Sequence, residues 1–217
     1  MEGRKLSDTN PFDDLTSEDG AHWTDGKNVY FLYSKIKGAD IVSFLQYAGP
    51  WATDKNYCYW GSLKLENADR ETFNVLNSTF AKDKYNVWRE DGKKMKGLDA
   101  ESFEILGDEY SVTPCGFCKD KNHVYHYFPL DIKIVKNALP EAFIPFNREF
   151  GHDGNNVFWQ EKRIKEADIE TFEVMKGADI NNEMIPYAKD KNKYYFCNKS
   201  VSKDEYEKGA RKIERFL

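Results

Sequence analysis

The sequence lacks a long apolar run and contains only four cysteines among its 217 residues. No segment reaches the ~20 apolar residues that a membrane-spanning helix needs, and residues 1–20 lack the apolar core of a signal peptide. Four cysteines in a chain of this length do not indicate a disulfide scaffold. We therefore expect a cytoplasmic protein with reduced thiols and no contact with membranes.

A basic excess is also missing. The formal net charge is −5 and the isoelectric point is near 5.5. Proteins that bind DNA, RNA or anionic membranes need a basic surface, so the charge predicts no direct nucleic-acid partner. The same acidic balance favours binding to a basic surface on another protein.

Catalytic signatures are absent as well. The sequence contains no Gly-x-Ser-x-Gly motif, no phosphate-binding loop and no dinucleotide fingerprint, and its four histidines stand outside any triad context. We expect neither an enzyme nor a bound cofactor.

The chain does contain a phrase of turn residues that is repeated six times. Each copy begins with Asp, continues with Lys or Gly, and has Asn two or three positions after the Asp. Asp and Asn favour tight turns, and β-branched or aromatic residues follow each copy, so each copy predicts the turn of a β-hairpin. We call the six residues the turn aspartates: Asp25, Asp54, Asp83, Asp120, Asp153 and Asp190.

A second phrase follows each of the first five turns. An anchor residue, Asp in four copies and Leu in one, is followed by Phe at +4 and by an apolar or aromatic residue at +7. Asp is a good helix N-cap, and side chains at +4 and +7 share one face of a helix, so the phrase predicts a helix of two or three turns. The anchor residues are Asp40, Asp69, Asp99, Leu139 and Asp168.

Together the two phrases predict an α+β fold with about six tandem repeats, each a β-hairpin followed by a short α-helix. Ser202-Lys-Asp-Glu205 is a capping box with an apolar stripe behind it, which predicts a C-terminal capping helix. Residues 1–20 are acidic and polar and are expected to form a disordered tail. A single repeat domain is expected over residues 21–217.

With these phrases the chain resembles the DKNYY family, bacterial repeat proteins with an Asp-Lys-Asn-Tyr-Tyr signature. The resemblance covers residues 23 to about 198, and it implies no catalytic residue. It implies an accessory bacterial or phage protein and, in some members, an immunity protein beside a toxin. The matching words are Asp190-Lys-Asn-Lys-Tyr-Tyr195, Asp120-Lys-Asn-His-Val-Tyr125, Asp54-Lys-Asn-Tyr-Cys-Tyr59 and the Ala-Asp-x-x-Thr-Phe phrases.

One cluster, Cys115, Cys118, His123 and His126, has the spacing of a zinc site, and zinc prefers four such ligands. If both segments are strands of one hairpin, residues three apart point to opposite faces, which leaves one Cys and one His on each face. We therefore expect no metal there, and a metal- or thiol-dependent activity at these residues remains an alternative. Calcium at the turns is not expected either, because a lysine inside most of them opposes a cation.

The sequence thus predicts a non-enzymatic protein that inhibits a partner, such as a bacterial toxin or a nuclease (a CRISPR effector included), by covering its basic functional surface. Two irregular stretches, 107–119 and 127–138, are expected to carry specificity. A second alternative is a glycan-binding module that uses surface tryptophans, of which the chain has five. The candidate partner-binding residues are Asp108, Glu109, Tyr110, Phe117, Tyr127 and Asp131.

Overall fold

The computed structural model of the protein describes residues 2–6, 8, 21–107, 115–175 and 186–214. Two compact units divide these residues: the first runs up to Phe103 and the second begins at Glu104. The tail over 1–20 and the single domain over 21–217 stay predictions. No helix in the described part of the chain is long and apolar enough to cross a membrane.

The described residues of the first unit form three small antiparallel sheets. Their strands are β1 (Arg4–Lys5), β2 (His22–Thr24), β3 (Val29–Phe31), β4 (Ser34–Ile36), β5 (Leu45–Gln46), β6 (Trp51–Thr53), β7 (Cys58–Trp60), β8 (Leu63–Lys64), β9 (Asn74–Val75), β10 (Phe80–Lys82) and β11 (Val87–Arg89). The strand orders are β2-β3-β4, β1-β5-β6-β7-β8 and β9-β10-β11.

The described residues of the second unit form three further antiparallel sheets. Their strands are β12 (Glu104–Leu106), β13 (Gly116–Lys119), β14 (Val124–Phe128), β15 (Asp131–Ile134), β16 (Ile144–Pro145), β17 (Phe150–His152), β18 (Val157–Trp159), β19 (Lys162–Ile164), β20 (Glu173–Val174), β21 (Tyr187–Lys189), β22 (Tyr194–Phe196) and β23 (Lys199–Val201). Each sheet keeps its strands in chain order, as β12–β15, β16–β19 and β20–β23. Two 3-10 turns, η1 (Pro140–Ala142) and η2 (Ile169–Thr171), and one helix, α1 (Lys203–Glu214), complete the unit.

A hairpin is present at every turn aspartate. At Asp54, for example, β6 pairs with β7 so that Thr53 faces Cys58, and the Asp54 N–H donates to the carbonyl of Tyr57 at 2.9 Å. The same closing bond, from the Asp N–H to the carbonyl at +3, occurs at the other five turns. Turn-forming Asp and Asn, followed by β-branched and aromatic residues, account for all six hairpins.

The predicted α+β class with repeated hairpin–helix units is wrong. Each anchor residue starts a single turn, and a short strand follows it instead of a helix. Oδ1 of Asp168 accepts hydrogen bonds from both the backbone N–H and the hydroxyl of Thr171, which closes the turn after three residues. The backbone of the next residue, Phe172, is already extended. The residues that turn inward are therefore those at +4 and +6, the period of a strand, as in Phe73 and Val75.

The C-terminal helix predicted from the capping box is present in the structure. α1 begins at Lys203, and the hydroxyl of Ser202 accepts the N–H of Glu205 at 3.3 Å. Among the described residues it is the only α-helix.

Each core cluster combines two consecutive sheets of the same unit. Val29 and Ile36 of the first sheet, for example, pack with Phe44, Ala52 and Tyr59 of the second. The second and third sheets share a further cluster, and the second unit repeats the arrangement twice. A sheet of three to five short strands does not bury its aromatic side chains alone, so the repeats stabilise one another by stacking.

Candidate binding surface

One carboxylate oxygen of every turn aspartate caps its own turn. Oδ1 of Asp54 accepts the backbone N–H groups of Asn56 and Tyr57, both at 2.7 Å. The same two bonds, from +2 and +3, occur at all six turns. This is the local side-chain bonding for which Asp is preferred in turns, and it fixes the residue for structural reasons.

The second oxygen binds the anchor that precedes the turn. Oδ2 of Asp54 accepts the N–H of Asp40 at 2.9 Å, and the Ser43 hydroxyl accepts the N–H of Lys55 at 2.9 Å. Three further turns bind their preceding anchor in the same way. The structural repeat is therefore an anchor turn followed by its hairpin, not the predicted hairpin followed by a helix. Because the donor is a backbone N–H, Leu139 serves as an anchor as well as Asp does.

The turn lysine completes the link with an ion pair. Lys55 Nζ lies 2.7 Å from the Asp40 carboxylate, and the corresponding pairs Lys84–Asp69 and Lys191–Asp168 measure 2.9 and 2.7 Å. Lys55, aided by Ser43, lowers the pKa of the Asp40 carboxyl to about 2. In these three repeats the anchor carboxylate is thus paired with a lysine ammonium group.

One acceptor site on each turn aspartate needs a side-chain donor. At Asp54 the donor is Tyr59, at +5, whose hydroxyl donates to Oδ2 at 2.7 Å. At Asp153 the residue at +5 is Phe158, and Asn156, at +3, donates instead at 3.3 Å. All six turns have a Tyr at +5 or an Asn at +3, and the turn at Asp25 has both. Burial raises the pKa of Asp54, but these hydrogen bonds outweigh it and hold the pKa below its ordinary value.

The side chains at some turn positions take no part in these hydrogen bonds and ion pairs. In the first unit, three such positions have exposed apolar or aromatic side chains. Tyr57 at +3 of its turn is 44% exposed, and Tyr85 at +2 is 69% exposed. Val42, in the anchor turn whose Asp40 pairs with Lys55, is 96% exposed. We call residues 40–43, 54–57, 69–72 and 83–86 the turn edge of the first unit. Arg70 Nε donates to the carbonyl of Asp54 at 2.6 Å and so connects the edges of neighbouring repeats.

A lysine ammonium group lies near each of the two tyrosine rings. Lys64 Nζ lies 3.5 Å from the centroid of the Tyr57 ring, and Lys84 Nζ lies 4.8 Å from that of Tyr85. Cation–π contacts at exposed sites contribute about 0.5–1 kcal/mol each. The turn edge thus presents two exposed aromatic rings, each with a lysine beside it.

The model of the DKNYY family matches residues 51–199. The chain belongs to the DKNYY family. No curated protein and no solved structure matches it. In this DKNYY protein the Asp and the last Tyr of the signature are hydrogen-bond partners across the hairpin turn, as at Asp190 and Tyr195, 2.7 Å apart. The Asp and the last Tyr of the signature are therefore elements of the scaffold, and candidate binding residues have to be sought at the other positions of the turns.

The cysteine–histidine cluster predicted as a weak metal candidate is divided between the faces of its hairpin. Phe117 pairs with His126, whereas Cys118 pairs with Tyr125, so Cys118 and His126 lie on opposite faces. His126 Nε2 donates to the carbonyl of Arg148 at 3.0 Å, and His123 lies exposed in the turn. Within the described ranges, no group of three or more His, Cys, Asp or Glu could hold a metal ion.

Burial disfavours thiol chemistry at Cys58 and Cys118. Burial raises the pKa of Cys118 well above its ordinary value and that of Cys58 to about 12. Both thiols are therefore protonated at neutral pH, and a protonated thiol is a poor nucleophile.

The residues predicted to bind a partner are dispersed. Asp108, Glu109 and Tyr110 lie outside the described residues. Phe117 is fully buried and Tyr127 is 4% exposed, whereas Asp131 at the start of β15 is exposed. Tyr127 and Cys115 line a cavity of about 220 Å³. Of the described candidates, only Asp131 can meet a partner without a rearrangement of the core.

The tryptophans do not form an exposed platform for a glycan. Trp51 and Trp88 are buried, and the other three are half-buried. Trp23 stacks on Tyr30 at 4.5 Å, and the Nε1 of Trp51 donates to the carbonyl of Ser78 in the next repeat. These contacts are those of residues that pack a repeat.

Tyr57 and Tyr85 were not among the residues predicted from the sequence to bind a partner. A comparison of the six turn phrases could have identified them, because the other copies have Asn, His or Lys at +3, where Tyr57 stands, and Lys or Asn at +2, where Tyr85 stands. An aromatic residue at a turn position that is polar in the other copies is therefore what distinguishes these two positions in the sequence.

Proposed function

We propose that this DKNYY-family chain is a non-enzymatic module that binds another protein through the turn edge of its first unit. The observation that supports the proposal is the exposure of Tyr57 and Tyr85 at positions where the turn network requires no aromatic side chain. Tyrosine is among the residues that dominate binding energy at protein interfaces.

The form of binding that we propose is inhibition of a toxin or nuclease through its basic functional surface. The charge that would steer such a partner is concentrated in residues 1–20, which have six acidic and two basic side chains. Residues 21–103 have eleven acidic and twelve basic side chains, so the first unit itself is nearly neutral. We therefore assign the aromatic contacts to the turn edge and the long-range attraction to residues 1–20.

The test of the contacts begins with affinity capture from the host and continues with the purified partner. We expect a one-to-one complex that abolishes the partner's activity. The double variant Tyr57→Ser/Tyr85→Ser should weaken the affinity by about 100-fold, since buried tyrosines at interfaces often contribute 2 kcal/mol or more. Titration calorimetry measures the dissociation constants.

Tyr33→Ser is the matched control, because Tyr33 is 73% exposed but lies at the other end of its hairpin, between β3 and β4. It should leave the affinity unchanged. Equal losses in the control and in the double variant, or no loss in either, would contradict the assignment to the turn edge.

The test of the charge compares two sets of four neutral substitutions. Replacing Asp13, Asp14, Glu18 and Asp19 by their amides should remove most of the salt dependence of the association rate. The control replaces Glu161, Glu166, Glu170 and Glu173 of the second unit by Gln and should leave the salt dependence in place. The opposite result would place the steering charge in the second unit.

A further inference from the structure

The outer edge of β5 is covered by a separate piece of the chain. β1 pairs with β5 in an antiparallel ladder that sets Arg4 against Gln46 and Lys5 against Leu45. The side chains of Arg4 and Lys5 are exposed, so the contact is made by the backbone and by the residues on either side. An extended segment that adds a strand to an open sheet edge is a common mode of peptide recognition.

Gln46 is the residue that distinguishes this edge from those of the other repeats. The side chain is 1% exposed, and its Nε2 donates to the carbonyl of Lys5 at 3.2 Å. Its Oε1 is buried without a hydrogen-bond partner in the described part of the chain. The equivalent position, six residues after the anchor, is apolar in the other four repeats that have an anchor: Val75, Ile105, Pro145 and Val174.

A buried amide at an otherwise apolar position costs stability unless its polar atoms are bonded. The repeat does not need Gln46, since four sister repeats fold with an apolar residue there. The added strand uses one of the two polar atoms, and the second is left for an N–H group of a segment docked on the same edge.

Two further contacts define what the edge accepts. Gly3 lies against the Tyr47 ring so closely that a Cβ there would come within 2.9 Å of ring carbons and 3.0 Å of the Leu45 Cβ. The Tyr47 hydroxyl is itself held by Thr53 at 3.2 Å. Leu6 packs on the core cluster that contains Phe44 and Tyr59. The edge thus fits a small residue followed, three positions later, by leucine.

We propose that the edge of β5 is a docking site for extended peptides with a small residue three positions before a leucine, and that residues 3–6 are its resident occupant. A partner segment with this pattern replaces the resident strand. The site does not depend on the turn edge, so Tyr57→Ser/Tyr85→Ser should leave peptide binding unchanged even if the proposed function fails.

The experiment uses the full chain and a labelled synthetic peptide of residues 1–8. The double variant Gly3→Val/Leu6→Asp, which disables the resident strand, should bind the peptide at least tenfold more tightly than the unaltered chain. The reason is that a tethered competitor acts at an effective concentration on the order of millimolar. A peptide with the same two substitutions should not bind, and Gln46→Val in the double variant should weaken binding about tenfold.

A second measurement does not depend on the folding of the double variant. A fluorophore attached at Lys5→Cys, an exposed position, reports release of the resident strand as a fall in anisotropy when unlabelled peptide is added in millimolar excess. Release supports the proposal. No fall in anisotropy, or equal binding of the peptide with and without Gln46, overturns it.

Discussion

The turns at Asp54 and Asp153, one in each unit, have the same backbone bonds and differ in one donor. In the first, Tyr59 reaches back from +5 to the carboxylate; in the second, Asn156 donates from +3 because Phe158 at +5 has no hydroxyl. The tyrosine bond is 2.7 Å and the asparagine bonds are 3.3 Å.

The difference shows how one scaffold allows variation at its surface. Because Tyr59 donates the side-chain hydrogen bond to Asp54, the residue at +3 need not do so, and this position has the exposed Tyr57. Where +5 lacks a hydroxyl, Asn must stay at +3. The turn at Asp83 follows the second pattern, and there the exposed aromatic residue is Tyr85 at +2.

The largest effect is expected when the shared carboxylate is removed. Asp54→Ala leaves the N–H groups of Asn56, Tyr57 and Asp40 and the hydroxyl of Tyr59 without their acceptor. Because Asp54 is fully buried, we expect a loss of about 3 to 4 kcal/mol in the free energy of unfolding, measured with urea.

Asp25→Ala is the control for this prediction, because Asp25 makes the same turn bonds with an exposed carboxylate. Its loss should be much smaller. Equal losses of the free energy of unfolding at the two positions would show that burial of the hydrogen-bonded carboxylate contributes nothing to stability.

Acid should destabilise both units through their buried histidines. Burial lowers the pKa of His22 and of His126 to about 4, and each Nε2 donates to a carbonyl of the next repeat. The unfolded chain binds a proton near pH 6.5 and the folded chain only near pH 4, so stability falls as the pH drops from 6.5 to 4. The full loss is about 3 kcal/mol for each histidine.

Urea unfolding at pH 7 and pH 4.5 measures most of this loss. His22→Phe should reduce the pH dependence of the first unit and His126→Phe that of the second. The Asp40 carboxyl, with its pKa of about 2, titrates below this window and cannot produce the same profile. A stability that is constant from pH 7 to pH 4.5 would contradict the prediction.

A smaller effect is expected at the donor that differs between the two turns. Tyr59→Phe removes the hydroxyl that bonds to Asp54 and should cost about 1.5 kcal/mol, as a hydrogen bond to a charged group does. Asn156→Ala at the Asp153 turn should cost less, because its two bonds are longer. A larger loss at Asn156 would reverse the order that the distances predict.

The smallest effect is expected where the network leaves a position free. Tyr85→Asn replaces an exposed ring with the residue that the Asp54, Asp120, Asp153 and Asp190 turns have at +2, and it should change the stability by less than about 0.5 kcal/mol. The urea midpoint measures the change. A loss above 1 kcal/mol would show that Tyr85 serves the fold.

The hairpins could be predicted from the sequence because their causes are local. Asp and Asn bond to backbone groups two and three residues away, and the residues that follow have high β-propensity. The C-terminal helix was predictable for the same reason, since the Ser202 cap lies next to the segment it caps.

The short helices were a wrong prediction because the spacing from an anchor to Phe at +4 suits a helix and a turn followed by a strand equally well. The residue at +3, Ser43 or Thr171 for example, bonds back to its anchor and closes a single turn. A second apolar residue at +6, such as Val75, which is buried, has the two-residue period of a strand and could have indicated one.

The candidate surface could not be predicted because it depends on which atoms the network occupies. Tyr57 and Tyr59 follow the same turn in the sequence, but Tyr57 is exposed, whereas the hydroxyl of Tyr59 donates to the buried Asp54 carboxylate. The strand at Arg4–Lys5 was equally beyond sequence reasoning, since two residues carry no periodicity.

Moving the donor within one turn tests the central claim most directly. Tyr59→Phe and the double variant Tyr57→Asn/Tyr59→Phe should be compared by the free energy of unfolding, with Tyr57→Asn as the third member of the cycle. The double variant reproduces the arrangement at Asp153, so it should recover at least half of the stability that Tyr59→Phe loses. If Tyr57→Asn has the same effect whether position 59 is Tyr or Phe, then Tyr at +5 and Asn at +3 do not replace each other, and the claim is wrong.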